Sequence, residues 1–300
     1  MMTMPWRETL YSCLTPQAAK LLRDLSEEDA AGLEEMRFRT GRPVEFVIAG
    51  RSRDGALALD QQEMGELLGA LSGYSLYAFE KQMAMGFIPL AGGHRAGVCG
   101  KVVEESGQAV RMSAITSICL RVARAVPGAS APIRPHFIEQ GGRVRRVLLL
   151  GAPGCGKTTV LRDAALYLSD ACGVHVAVAD ERGELFARLP EGKGHKLDVL
   201  SGASKALATQ ILLRSMSPDA IVTDEIGHEE DVGALLEAAR CGVGLLASAH
   251  AEGMRGVTAR PALSKLFEAR AFDRYIHLGR RAHVLGIYDE AGRLCRKEET

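Results

Sequence analysis

Gly151-Ala-Pro-Gly-Cys-Gly-Lys-Thr158 follows the apolar run Val147-Leu-Leu-Leu150 and precedes a stretch of helical spacing from Thr159 to Leu168. A buried strand, a glycine-rich turn ending in Lys and Thr, and then a helix is the setting in which this pattern binds nucleotide phosphates. Glycine tolerates the backbone angles that turn successive N–H groups inward around phosphate oxygens, and the helix N-terminus adds positive potential. Lys157 is expected to reach the β- and γ-phosphates of ATP, and Thr158 to ligate Mg²⁺. The expected nucleotide-binding set is Gly151, Ala152, Pro153, Gly154, Cys155, Gly156, Lys157, Thr158 and Thr159.

Outward from this loop, the runs Val174-His-Val-Ala-Val-Ala179, Ala220-Ile-Val-Thr223 and Val243-Gly-Leu-Leu-Ala-Ser-Ala249 alternate with amphipathic segments. Runs so apolar predict strands buried on both faces, hence an α/β P-loop NTPase domain with a parallel sheet over residues 144–300. Three of these strands end in polar residues, where the carboxyl edge of a parallel sheet lines a ligand crevice. Asp224 suits the Mg²⁺ carboxylate and Glu225 a group that positions and deprotonates water. Asp180-Glu-Arg-Gly-Glu184 brings a second acidic strand end, which makes Glu181 a rival for the water-directing role. Ser248-Ala-His250 closes a further strand with a polar pair that could sense the γ-phosphate or its water by hydrogen bonding, His250 as a donor, the alternative being a structural histidine. Arg214 lies on a helix that Pro218 ends, and a carboxylate partner would account for it.

Residues 1–125 read as a smaller α+β domain, and 126–143, with three prolines and three glycines, as a connector with little regular structure. Helices are expected from Thr15-Pro16 onward, at 60–71 and at 75–84, and strands at 33–40, 44–49, 92–103 and 117–124. This half carries Arg95, Arg111, Arg121 and Arg124. An arginine that stabilises charge on the transferred phosphoryl group raises hydrolysis by about 10³ to 10⁵, and the nucleotide domain offers no obvious arginine on a flexible arm. The alternative for each is a solvated strand face.

The composition excludes several classes. With 37 basic and 37 acidic residues in 300, the chain is not a polycation built to coat nucleic acid. No apolar run approaches the ~20 residues of a membrane span, and the first residues lack a signal peptide's apolar centre, so a cytoplasmic protein without direct membrane insertion is expected. Seven scattered cysteines form no metal-ligand pattern. The neutrality is an average of opposite patches: residues 86–146 hold nine cations and three anions, and residues 217–240 hold seven anions and one cation.

Taken together, Glu34-Glu-Met-Arg-Phe-Arg-Thr-Gly-Arg-Pro43, Tyr74-Ser-Leu-Tyr-Ala-Phe-Glu80, Gly92-Gly-His-Arg-Ala-Gly97, Asp180-Glu-Arg-Gly-Glu184 and Arg214 to Gly227 resemble the stage III sporulation protein AA family, over nearly the whole chain. More distantly they are similar to the ring ATPases of type II and type IV secretion and pilus systems. The resemblance implies an ATPase peripheral to the mother-cell membrane at the forespore septum. Its implied partners are other copies of itself in a ring, a hexamer, and membrane proteins of the sporulation channel it energises. It implies four boxes around ATP, which fall on Gly151 to Thr158, Asp180 with Glu181, Asp224 with Glu225, and His250. It also implies that arginines of the N-terminal domain reach nucleotide, which raises Arg95, Arg121 and Arg124. The acidic box departs from the distant relatives, reading Asp-Glu-Arg where they usually have Glu-Asp-Pro, and this leaves Glu181 and Glu225 both open as the base.

Two other classes share these motifs. A nucleic-acid-translocating ATPase would show turnover stimulated by DNA or RNA, against which stand the balanced charge and scarce aromatics. An ATP-gated scaffold would bind partners even without either glutamate, but not without Lys157.

Overall fold

The computed structural model describes residues 5–123, 126–186, 189 and 192–296. Contacts divide the chain into two units, Met1–Arg124 and Ala125–Thr300.

In the first unit, alternation of apolar and charged residues makes β1 (Leu33–Arg39), whose Leu33, Met36 and Phe38 point inward. With β2 (Arg42–Ile48), β3 (Arg51–Ala58), β4 (Phe87–Pro89), β5 (Arg95–Glu105) and β6 (Gln108–Arg121) it forms an antiparallel sheet ordered β3-β2-β1-β6-β5-β4. The helices α1 (Pro5–Tyr11), α2 (Pro16–Arg23), α3 (Glu27–Gly32), α4 (Gln61–Leu71) and α5 (Glu80–Ala84) complete an α+β domain, with Leu10, Leu22, Met64 and Leu67 in its core. A reciprocal cap starts α4: Asp60 accepts from the Glu63 N–H and Glu63 from the Asp60 N–H, each at 2.8 Å. The helix expected at 75–84 divides into a 3₁₀ turn, Leu76–Phe79, and the short α5. The strands expected at 92–103 and 117–124 belong to one long hairpin. It narrows at Gly100, where a Cβ would lie 2.5 Å from the Ser113 carbonyl oxygen.

In the second unit, β7 (Val147–Leu150), β8 (Val176–Asp180), β9 (Leu197–Ser201), β10 (Ala220–Thr223), β11 (Gly244–Ala249), β12 (Arg274–Leu278), β13 (Val284–Asp289) and β14 (Leu294–Arg296) form one sheet ordered β14-β13-β12-β7-β11-β10-β8-β9. From β12 to β9 every pairing is parallel, whereas β13 and β14 add antiparallel. The sheet is therefore mixed rather than wholly parallel, because the short turn after β12 returns the chain along its neighbour instead of crossing over. Alternate residues of each central strand enter opposite cores: Val147 and Leu149 pack on one face with Val160, Leu161 and Val178, and Leu148 and Leu150 on the other with Ile221 and Leu245. This two-sided burial is the reason the strands read as unbroken apolar runs. Around the sheet run α6 (Lys157–Leu166), α7 (Lys205–Ser215), α8 (Glu229–Arg240), α9 (Gly253–Thr258) and α10 (Pro261–Glu268). The chain leaves β7 for β8 on one side and later returns to β12 on its other side, so the carboxyl end of β7 lies at the switch of strand order where ligands bind in open α/β sheets.

The segment read as a loose connector is built into this unit. Its Ile133 and Phe137 are buried in the core, and residues Ala131–His136 form a 3₁₀ turn. Asp163 on α6 ties it down, accepting from the Gly128 N–H (2.8 Å), the Ser130 N–H (2.9 Å), the Ser130 hydroxyl and Arg134 (3.2 Å). Burial alone would raise the Asp163 pKa, but these bonds outweigh it and hold the carboxyl below its ordinary value. Asp163→Asn should therefore destabilise the protein by about 2–3 kcal/mol near neutral pH. A depressed native pKa gives stability that is complete above the unfolded value of about 4 and fades as pH falls through the native one. Urea unfolding of wild type and variant should thus show a gap that narrows in acid. An equal gap at about pH 7 and pH 3 would count against this reading.

Candidate nucleotide site

The loop after β7 has the backbone its glycines predict. Gly151, Gly154 and Gly156 sit at φ of 157°, 71° and 108°, and a Cβ on Gly151 would lie 2.6 Å from both Cys155 Sγ and the Leu278 carbonyl oxygen. Only glycine takes such angles with a neighbour so near. Ala152, Pro153 and Gly154 form an exposed rim, Cys155 is buried beneath it, and α6 begins at Lys157, with Thr158 and Thr159 in its first turn. The Lys157 ammonium donates to the carbonyl oxygens of Gly151 (2.8 Å) and Ala152 (2.9 Å) and lies 3.1 Å from His250 Nδ1. Burial lowers its pKa.

His250 continues this line. An ammonium has only donors, so Nδ1 must accept, which leaves the proton on Nε2 to be donated to Glu225 Oε1 at 3.0 Å. Lys157, His250 and Glu225 thus form one continuous chain at the carboxyl edge of β7, β11 and β10. The backbone of Glu225 adopts a left-handed φ of 44°, a conformation that costs a non-glycine residue about 1 kcal/mol or more. Next to it, Asp224 is buried and accepts no hydrogen bond among the described residues. Burial, and then the nearby Asp180 and Glu184, push its carboxyl up to about 7. A buried carboxylate lacking donors, just past the end of β10, is the kind of oxygen donor that a hard divalent cation takes, and Thr158 offers a hydroxyl in the first turn of α6.

The second acidic strand end divides its roles differently from the expectation that both carboxylates face nucleotide. Asp180 is wholly buried and accepts the N–H groups of Glu184, Leu185 and Phe186 at 2.7–3.1 Å, so it shapes its own loop. Arg162 of α6 holds the same loop through the Glu184 and Leu185 carbonyls (2.6 and 2.7 Å). Glu181 forms a 2.8 Å ion pair with the buried Lys205 of α7. Arg182, the next residue of this strand end, comes within 3.9 Å of Glu225. Arg214 is exposed and makes no ion pair among the described residues, so the carboxylate partner expected for it is not found.

In the first unit, Arg95 on β5 and Arg121 on β6 are register partners, and Arg121 also pairs in register with Glu35 of β1, which it meets at 3.2 Å. Arg95 lies over the Phe87 ring, 4.1 Å from its centre. Two arginines side by side on one sheet face, with a single carboxylate in the row, make a cationic strip. Arg111 is on the distal part of the hairpin, opposite Val103, and Arg124 lies outside the described residues.

Sequence reasoning missed one element of the site. The turn between β12 and β13 seals onto the phosphate loop, with the Ala282 N–H donating to the Cys155 carbonyl at 2.7 Å. Arg281 and Ala282 hold left-handed φ of 55° and 61°, and Arg280 and Arg281 are exposed. The only sequence signal was Gly279-Arg-Arg between two apolar runs, which has no generic motif behind it.

Comparison with known proteins bears on the whole chain. Residues 4–295 match the family described as Sporulation stage III, protein AA. The chain is 35% identical over 294 residues to stage III sporulation protein AA of Bacillus subtilis (strain 168), covering 94% of this chain and 95% of that one. Among solved structures it is similar in fold to the pilus retraction motor PilT with bound ADP, at a TM-score of 0.60 and 18% identity over 86% of this chain and 77% of that one. It is also similar to the Legionella pneumophila ATPase DotB, at 0.56 and 18% over 88% and 76%. No helix among the described residues is long and apolar enough to cross a membrane.

Proposed function

Because the chain belongs to the stage III sporulation protein AA family, we propose that it is a Mg²⁺-dependent ATPase working in sporulation. The observation that carries this reading is the continuous line from the phosphate-loop lysine through His250 to Glu225, at the switch point of a sheet whose fold is that of known ATPases. The amides of Gly151 to Thr159 and the Lys157 ammonium hold the phosphates. Thr158 and Asp224 would hold Mg²⁺, which would neutralise charge on the phosphate oxygens when bound. Glu225 orients water and accepts its proton, while Glu181 stays engaged by Lys205. Phosphates that draw the ammonium to themselves take it from His250 Nδ1, so filling the site alters the group that faces Glu225. The fit of the Mg²⁺ donors rests on the buried, unbonded Asp224.

In the same reading, Arg95 and Arg121, with Arg124, reach nucleotide from the N-terminal domain within a ring of copies, a hexamer. The ring stands at the mother-cell face of the forespore septum and drives a membrane channel complex whose proteins are its partners. The support for this wider picture is family membership and the cationic strip on β5 and β6.

The test is phosphate release from ATP by the purified full chain. Turnover with Mg²⁺ that vanishes with a chelator supports the proposal, and ATP bound but never hydrolysed, with the protein ring-assembled, contradicts it. A further prediction concerns the turn sealed onto the phosphate loop, whose arginines supply cationic donors to the nucleotide within the same subunit. Arg280→Ala with Arg281→Ala should raise the KM for ATP about tenfold and leave kcat within about twofold, the mark of binding shared by ground and transition states. Steady-state kinetics decides this, and an unchanged KM removes the turn from the site.

A further inference from the structure

Ser248 sits one residue inside the carboxyl end of β11 and has no exposed surface. The sequence alone let this serine, with His250, sense the γ-phosphate or its water, yet its hydroxyl is turned away from solvent and spent on the backbone of Glu225. Its Oγ accepts the Glu225 N–H at 2.9 Å, and its carbonyl oxygen accepts the N–H of the next residue, Ile226, at 2.8 Å. The two bonds bracket the left-handed residue: one fixes the peptide entering Glu225 and the other the peptide leaving it. β10 ends at Thr223, so no strand pairing holds these two amides. The φ of 44° at Glu225 is a conformation that a glutamate adopts only where its surroundings enforce it. Without that backbone angle the carboxylate would leave a different edge of the strand end, away from His250 Nε2.

We infer that Ser248 is a positioning residue for hydrolysis: its buried hydroxyl holds Glu225 in the left-handed conformation that aims the carboxylate along the line of His250 and Lys157. The inference rests on the reading of Glu225 as the water-directing group. It assigns Ser248 no contact with nucleotide and therefore separates it from His250 two residues later, whose ring lies in the line itself. Alanine preserves the apolar packing of β11 and removes only the acceptor, so the effect should fall on the aim of Glu225 and leave nucleotide affinity alone.

The experiment compares the full-length wild type, Ser248→Ala, Glu225→Gln and the double variant, measuring ATP binding by calorimetry and turnover by phosphate release. The expected result is a kcat about tenfold to thirtyfold lower for Ser248→Ala with ATP affinity within about twofold. In the Glu225→Gln background, Ser248→Ala should cost less than about twofold more, because a residue acting only through Glu225 has nothing left to aim. Ser248→Ala turning over at the wild-type rate while Glu225→Gln is inactive overturns the inference and leaves the assignment of Glu225 standing. Full additivity of the two substitutions, or a Ser248→Ala protein that has lost ATP binding, overturns it as well, since either marks a general structural role. Wild-type turnover by Glu225→Gln instead defeats the assignment of Glu225 and this inference with it.

Discussion

Glu225→Gln is expected to lower ATP turnover by about 10² to 10³ while ATP affinity stays within about threefold. The amide keeps the shape of the side chain and can still meet His250, so the site remains assembled, but it cannot take a proton from water at neutral pH. Glu181→Gln is expected to behave differently. Glu181 neutralises the buried Lys205 ammonium at 2.8 Å, and losing that charge should destabilise the nucleotide unit by about 1–2 kcal/mol while turnover falls less than about tenfold. Thermal melts and phosphate-release rates on the two variants separate the roles that the sequence left open. A Glu181→Gln protein that is fully stable and inactive would reverse the assignment.

Lys157→Ala carries the second large effect. The ammonium holds the loop through the Gly151 and Ala152 carbonyl oxygens and is, among the described residues, the one buried cation beside the loop amides. Its loss removes charge-assisted bonds to phosphate worth about 2–3 kcal/mol, so ATP affinity should fall about 30- to 150-fold. Calorimetric titration with ATP and with ADP should show the larger loss for ATP, because Lys157 is expected to reach the terminal phosphates. Equal loss for both nucleotides would place its contact elsewhere.

The sequence revealed most where one physical cause dominates. Strands β7, β8, β10 and β11 are buried on both faces, and such strands appear as apolar runs that need no context to recognise. The glycines of 151–156 marked a sharp loop after β7, and Gly154 and Gly156 do hold positive φ there. Elements whose pattern depends on partners were harder to read. The edge strand β9, Leu-Asp-Val-Leu-Ser, and the antiparallel β13 and β14 carry mixed patterns, and the short turn that reverses the sheet after β12 has no signature beyond a glycine. The segment 126–143 misled because proline and glycine suggest a tether, while Ile133, Phe137 and the bonds to Asp163 that fix it are visible only in the fold.

At the site, the acidic residues could be located but not told apart. Asp180 and Glu181 are adjacent in sequence, yet one is spent on three amides of its own loop and the other on Lys205, a residue 24 positions away. Ser248 and His250 likewise diverge, one inward to a backbone and the other into the line from Lys157 to Glu225. These distinctions arise from which way a strand end turns, and spacing does not record it.

The most direct test is a structure of the full chain with Mg²⁺ and a non-hydrolysable ATP analogue. The expected result has Lys157 Nζ withdrawn from His250 and bonded to the terminal phosphates, Thr158 and Asp224 on the Mg²⁺, and the Glu225 carboxylate facing the γ-phosphate with Ser248 still on its N–H. A nucleotide bound with Glu225 turned away and Glu181 released from Lys205 to face the γ-phosphate would contradict the account.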